Sequence, residues 1–277
     1  MTSAANHLAG RLGESPAKRR RRSPRDIALA IGIVGVTAAL GVALALAYNA
    51  AVATPSGAIV APISAGPPEA QSSQSSNPSV VAEARGKSVA VFATPSSPKP
   101  SEVLKNPTST GDPVVFLTSG PMVGSTWIRV YLPSRPNQSQ GWVRSDAVTL
   151  SADDYLVHVN LSAHQMTVFN AGLVMMSIKI GEGRSALPTP TGTYFIVDLL
   201  KQPDPVGGYG PYAFGLSAYS DVLQSFGGGP GEIGIHGTDV PQSVGASLSH
   251  GCIRVSDATI VALAELLPLG TPVLINH

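Results

Sequence analysis

Cysteine is almost missing from this sequence: Cys252 is the only one among 277 residues. One thiol cannot close an intrachain disulfide, so no oxidative staple holds the fold. Aromatic residues are scarce at 5%, while 29 glycines and 24 prolines supply turns throughout. That balance excludes a helical bundle and points to short strands joined by frequent turns. Internal repeats are absent. No phosphate loop is present either. The glycine-rich stretches Gly207-Gly208-Tyr209-Gly210 and Phe226-Gly227-Gly228-Gly229-Pro230-Gly231 lack both a Lys-Ser/Thr end and a strand-to-helix setting, which excludes nucleotide binding.

A net charge of +1 conceals an uneven distribution. Residues 1–26 hold seven of the 18 Lys/Arg and two of the 17 Asp/Glu, leaving 11 basic and 15 acidic residues beyond them. A basic head could serve nucleic acid, but an uncharged run of 22 residues, Ile27 to Tyr48, follows it directly. As a helix, that run would measure about 33 Å, enough to cross a hydrocarbon core of about 30 Å. The arginine cluster before it places residues 1–26 in the cytoplasm and the rest of the chain outside, in the cell membrane as a single-pass protein. No nucleic-acid partner is expected. Cleavage after Ala51-Val52-Ala53 is the alternative, although secretory signals carry apolar cores of only about 7–15 residues.

Residues 49–84, rich in proline and serine, read as a semi-extended linker. Short β-type runs then fill residues 85–150: Val89–Phe92, Val114–Leu117, Trp127–Leu132 and Gly141–Val143. More strands open residues 151–277, with Asn170-Ala171-Gly172 as a hairpin turn. A single helix is expected near the end, capped by Ser256, with Ile260, Leu263, Leu266 and Leu267 on one face. The fold class is therefore mainly β.

The candidate chemistry lies in two segments, Gly234-Ile235-His236-Gly237-Thr238 and Ser249-His250-Gly251-Cys252-Ile253-Arg254. A lone cysteine is often a small buried hydrophobe, and a useless free thiol is a liability outside the cell. A thiol with an imidazole and a flanking glycine has instead the parts to attack an acyl carbon. With a pKa of about 8.5, a thiol is only slightly ionised at neutral pH, so it needs a base that later returns the proton to the leaving amine. His250, two residues before Cys252, shares the thiol's face on an extended segment but splays away on a tight turn. His236 arrives from a separate segment and can be placed freely, so it is the preferred base. Zinc held by His236, His250 and Cys252 is the rival reading; it would want a fourth ligand or water, and metal would blunt the nucleophile.

These motifs resemble the L,D-transpeptidase catalytic domain, the YkuD family, marked by a histidine and a downstream Ser/Thr-His-Gly-Cys. The resemblance runs from about Tyr155 to Asn276. It includes Thr189-Pro190-Thr191-Gly192, Gly210-Pro211-Tyr212-Ala213, Phe226-Gly227-Gly228-Gly229 and Leu267-Pro268-Leu269-Gly270-Thr271-Pro272. It implies a catalytic domain of β-sandwich or barrel type over residues 151–277, with one late helix. It assigns Cys252 as nucleophile and His236 as base. The amides of Gly251 and Cys252 would form the oxyanion hole, with His250 shaping it, Ser249 orienting the loop and Arg254 facing a substrate carboxylate; an ion pair of Arg254 with Asp257 is the alternative.

In the family, a serine side chain or a backbone carbonyl just after the histidine holds its tautomer. Gly237 stands at that position, so its carbonyl, or Thr238 or Asp239, would take the role. The family also keeps groove walls and a lid here, for which Tyr212, Phe214 and Tyr219 are candidates. The implied partners are peptidoglycan stem peptides, as donor and acceptor of a 3→3 cross-link, and carbapenem-type inhibitors; no cofactor or metal is implied. An L,D-carboxypeptidase using the same site and a non-catalytic wall-binding module are the alternatives.

Trp127-x-Arg129-Val130 and Gly141-Trp142-Val143-Arg144 are similar to a bacterial SH3-like barrel over residues 85–150. The two tryptophans are expected to pack in its core, with a glycan or peptide groove as the alternative.

Overall fold

The computed structural model describes residues 77–120 and 126–277. The basic tail, the apolar run 27–48 and the linker up to residue 76 lie outside the described residues. Among the described residues, no helix is long and apolar enough to cross a membrane.

The first part is a small β module of seven strands: β1 (Ser79–Ala84), β2 (Ser88–Val91), β3 (Glu102–Lys105), β4 (Val115–Leu117), β5 (Trp127–Tyr131), β6 (Gln140–Arg144) and β7 (Val148–Asp153). β1 lies between β4 and β7 in an antiparallel sheet, while β2–β3 and β5–β6 form hairpins. Bridges from Phe92 to Trp142 and from Thr118 to Val130 join these pieces. Alternation places Ile128 and Val130 of β5 and Val143 of β6 inside, with Ala82, Val89, Val91 and Phe116.

Two expectations change here. β1 occupies residues read as linker, and it pairs from Ser79–Asp153 to Ala84–Val148 along β7, so the module begins before residue 85 and ends after 150. Trp127 and Trp142 do not fill the core. They lie half-buried on the outer face of the β5–β6 hairpin, where Trp127 pairs across the strands with Arg144 and Trp142 with Arg129. Each tryptophan ring sits about 6 Å from its partner's guanidinium.

The second part adds β8 (Tyr155–Asn160), β9 (Gln165–Asn170), β10 (Leu173–Lys179), β11 (Glu182–Gly183), β12 (Gly192–Lys201), β13 (Tyr212–Tyr219), β14 (Glu232–His236), β15 (Ser247–Ser249), β16 (Ile253–Arg254), α1 (Asp257–Leu266) and β17 (Pro272–Asn276). Eight of these strands form one sheet in the order β10-β9-β8-β17-β12-β13-β14-β16. Only β17–β8 and β14–β16 pair parallel in that sheet.

The expected turn between β9 and β10 is made by Ala171 (φ 47°) and Gly172 (φ 79°), the paired positive dihedrals of a two-residue hairpin. Ser256 caps α1 by accepting the Thr259 N–H. Ile260 and Leu263 of α1 join a core with Phe214, Leu216, Ile235, Ile253, Val273 and Ile275. Burial of each such large side chain contributes about 1.5–3 kcal/mol.

The two parts share a seam. Phe195 of β12 packs with Val81, Val115 and Leu117 of the small module. Beside it the Thr271 hydroxyl donates to buried Asp153 at 2.7 Å.

Candidate active site

The site grows from the parallel pairing of β14 and β16, where Ile235 faces Ile253 and His236 faces Arg254. Side chains alternate on both strands, so Ile233, Ile235 and Ile253 enter the core. Gly234, His236, Cys252 and Arg254 are left for the opposite face. The Gly234 N–H points at Cys252 Sγ, 3.4 Å away. A Cβ on residue 234 would lie 2.7 Å from the Phe214 carbonyl, so only glycine fits beneath the thiol. His236 and Cys252 both line a cleft of about 220 Å³, together with Ser249, His250 and Arg254. Gly237 stands behind the base and Gly251 behind the nucleophile.

The turn that presents Cys252 is held from two sides. Ser249 Oγ donates to the Cys252 carbonyl (2.6 Å) and accepts the Gly251 N–H (3.0 Å). Thr189 Oγ1 donates to the Gly251 carbonyl (2.8 Å) and accepts the Gly183 N–H (3.0 Å). Gly251 adopts φ +123°, which an L side chain avoids, and a Cβ there would meet Ile233 Cδ1 at 2.8 Å. One of the two amides expected in the oxyanion hole is engaged within the turn. The Gly251 N–H is already engaged by Ser249, whereas that of Cys252 has no acceptor among the described residues.

His236 is buried, at 4% exposure, and its Nδ1 lies 2.6 Å from the Gly237 carbonyl. A carbonyl only accepts, so Nδ1 carries the hydrogen and Nε2 keeps its lone pair. Of the three orienting groups the sequence left open, the carbonyl of Gly237 makes the contact. The Thr238 hydroxyl accepts the Val240 N–H instead, and Asp239 makes no bond to the ring. Glycine at 237 is a steric need: a Cβ there would collide with Asp257 Oδ1 and lie 2.9 Å from Gly210 Cα.

Burial pushes His236 down to about 4, with Arg254 adding to the fall and the Gly237 bond opposing it. Burial also raises the Cys252 thiol; the Gly234 N–H and Arg254 partly offset this, and Glu232 adds to it. Both shifts favour the neutral forms, thiol and imidazole, in the cleft.

His250 makes its side-chain contacts with Arg184 and Phe226. Its Nε2 lies 3.2 Å from Arg184 Nη1, and its ring lies 5.0 Å from that of Phe226. Arg254 makes no ion pair with Asp257, which accepts the Thr238 N–H at 2.9 Å. The buried Nε of Arg254 has no partner among the described residues, and the side chain borders the cleft. Among the described residues, no group of His, Cys, Asp and Glu is placed to hold a metal ion.

The aromatic walls differ from expectation. Phe214 is core, Tyr212 packs against the core, and the Tyr219 hydroxyl donates to the Pro133 carbonyl. Tyr209 and Phe226 line the cleft instead, with the Tyr209 ring 4.7 Å from that of His236. Both sit among glycines, a signal that exposed aromatics were available there. Thr189 was visible only as part of a motif, with no role attached.

A thiol and a tautomer-fixed imidazole sharing one cleft on a mainly β sheet define a cysteine–histidine acyl-transfer type of site. Residues 154–275 match the model of the YkuD family, the L,D-transpeptidase catalytic domain. The YkuD protein of Bacillus subtilis is 34% identical over 123 residues, covering 44% of this chain and 66% of its own length. That of Bacillus licheniformis is 31% identical over 122 residues, with the same coverage. The chain thus spans just under two thirds of these relatives. The solved catalytic domain of an E. faecium L,D-transpeptidase is 24% identical, covering 45% of this chain and 98% of that one, at a TM-score of 0.33.

Proposed function

We propose that this protein is a peptidoglycan L,D-transpeptidase working through a thioester on Cys252. The observation that carries the reading is the bond from His236 Nδ1 to the Gly237 carbonyl, which leaves Nε2 as the acceptor in the cleft it shares with the thiol. Nε2 takes the thiol proton as Sγ attacks the carbonyl of the third stem residue. The oxyanion draws on the N–H of Cys252. Collapse expels D-Ala, whose amine takes the proton from His236, and leaves the thioester. The side-chain amine of another stem's third residue then attacks, giving up a proton to Nε2. The sulfur leaves, recovers that proton, and a 3→3 amide cross-link remains. Water in place of the amine would make the same site an L,D-carboxypeptidase. Arg254, with its unmatched Nε, fits a substrate carboxylate.

The apolar run 27–48 after its arginine cluster supports an anchored protein with this domain on the wall side. The strand composition and paired tryptophans of residues 79–153 support an SH3-like module. A carbapenem is expected to acylate Cys252.

The test is incubation with purified tetrapeptide stems, followed by mass spectrometry for free D-Ala and cross-linked dimer. The wild-type chain should yield both, and folded Cys252→Ala neither. A folded Cys252→Ala protein that still releases D-Ala overturns the assignment.

A further inference from the structure

The cleft wall next to His250 is built by Phe226, at the tip of the loop 220–231 that joins β13 to β14. Little within that tip holds it. Phe226 and Gly229 exchange two backbone bonds around Gly227 and Gly228, both at positive φ, and the added Cβ of either would meet nothing within 4 Å. The base of the loop is held from outside, by the turn that joins β5 to β6 in the small module.

Arg135 Nη1 donates to the Ser220 carbonyl (2.6 Å), and Nη2 donates to those of Leu223 and Pro230 (both 2.9 Å). One guanidinium therefore ties the entry of the loop to its exit, while lying 5.0 Å over the Tyr219 ring. Asn137 extends the grip. Its Nδ2 donates to the Tyr219 carbonyl (2.7 Å) and to Asp221 (3.1 Å), and its Oδ1 accepts the Tyr219 N–H (2.8 Å). A planar, always-charged fork suits three carbonyls in a way a lysine cannot reproduce.

We propose that Arg135 and Asn137 are positioning residues for acyl transfer: they fix the loop 220–231 so that Phe226 walls the cleft beside His250 and the donor peptide binds in register with Cys252. The small module is then a working part of the site, whatever else it binds. The peptide half of this inference rests on the transpeptidase reading; the loop half does not.

The test compares the full chain with Arg135→Ala, Arg135→Lys, Phe226→Ala and the Arg135→Ala/Phe226→Ala double variant. Arg135→Ala should raise KM for tetrapeptide stems about tenfold and change kcat less than about threefold. Arg135→Lys should recover part of that loss. Alkylation of Cys252 by iodoacetamide, too small to need the wall, should keep its wild-type rate. The double variant should be no worse than Phe226→Ala alone, because both lose the same contact. Hydrogen exchange across residues 220–231 should quicken at least about tenfold in Arg135→Ala. Additive losses, or a KM within about twofold of wild type, would overturn the positioning role. If the wild-type chain turns over no stem peptide, the transpeptidase reading fails, and hydrogen exchange then decides the clamp by itself: unchanged exchange in Arg135→Ala refutes it.

Discussion

Replacing Thr189 by valine removes one hydroxyl and strands two buried partners. The Gly183 N–H loses its acceptor and the Gly251 carbonyl loses its donor, at a residue only 4% exposed. Each orphaned group costs about 1–3 kcal/mol, so the pair sets a loss of about 2–6 kcal/mol. For a domain of this size that lowers Tm by about 4–24 °C. Thr189→Ser keeps the hydroxyl and deletes one methyl, a loss of about 1 kcal/mol. The second consequence falls on the nucleophile. The Gly251 peptide is held at φ +123° partly by this bond, so Cys252 shifts when it goes. Acylation of Cys252 by a carbapenem should slow about 10–100-fold in the valine variant. Thermal melts paired with intact-mass kinetics measure both effects. If Thr189→Val matches Thr189→Ser in stability and in acylation rate, the Thr189 hydroxyl does not hold the catalytic turn.

Two further outcomes depend on protons. With His236 held at about 4, its imidazole stays a free base above that value, so the acylation rate should fall only as pH drops through about 4. A rate–pH curve with its acid midpoint between 6 and 7 would contradict this. Glu232, with Asp198 close by, is pushed by burial to about 7 from an ordinary 4.5. The folded state then holds this proton more tightly than the unfolded chain does, so stability falls as pH rises from about 4.5 to about 7. Glu232→Gln should match wild type near pH 4 and exceed it by about 1–3 kcal/mol at pH 8, allowing for solvent near the carboxylate. Denaturant titrations at the two values measure that difference, and an unchanging gap would count against it.

Local pattern revealed a good part of this molecule. The β-type run at Trp127–Tyr131 identified a strand, though not which face turns inward, Ala171-Gly172 marked a hairpin, and Ser256 marked the start of the helix. The spacing of His236 and Cys252 singled out the two groups that share the cleft. Features that depend on distant partners stayed hidden. β1, half alanine and glutamate at its end, becomes a strand because β7 pairs along its whole length. Thr189 matters through a carbonyl 62 residues away. The capture of the Gly251 amide by Ser249 follows from a positive dihedral that the order of residues does not announce. Tyr209 and Phe226 reach the cleft because glycine-rich loops carry them there, not because of any periodicity.

The quiet resting state of Cys252 also bears on durability. Peroxide and disulfide exchange consume thiolates, and each oxidation step beyond sulfenic acid is irreversible for a cysteine with no resolving partner. Burial raises the Cys252 thiol, so less of it is thiolate for such reagents to attack. The same shift that calls for a base leaves the chain's lone sulfur less open to such reagents.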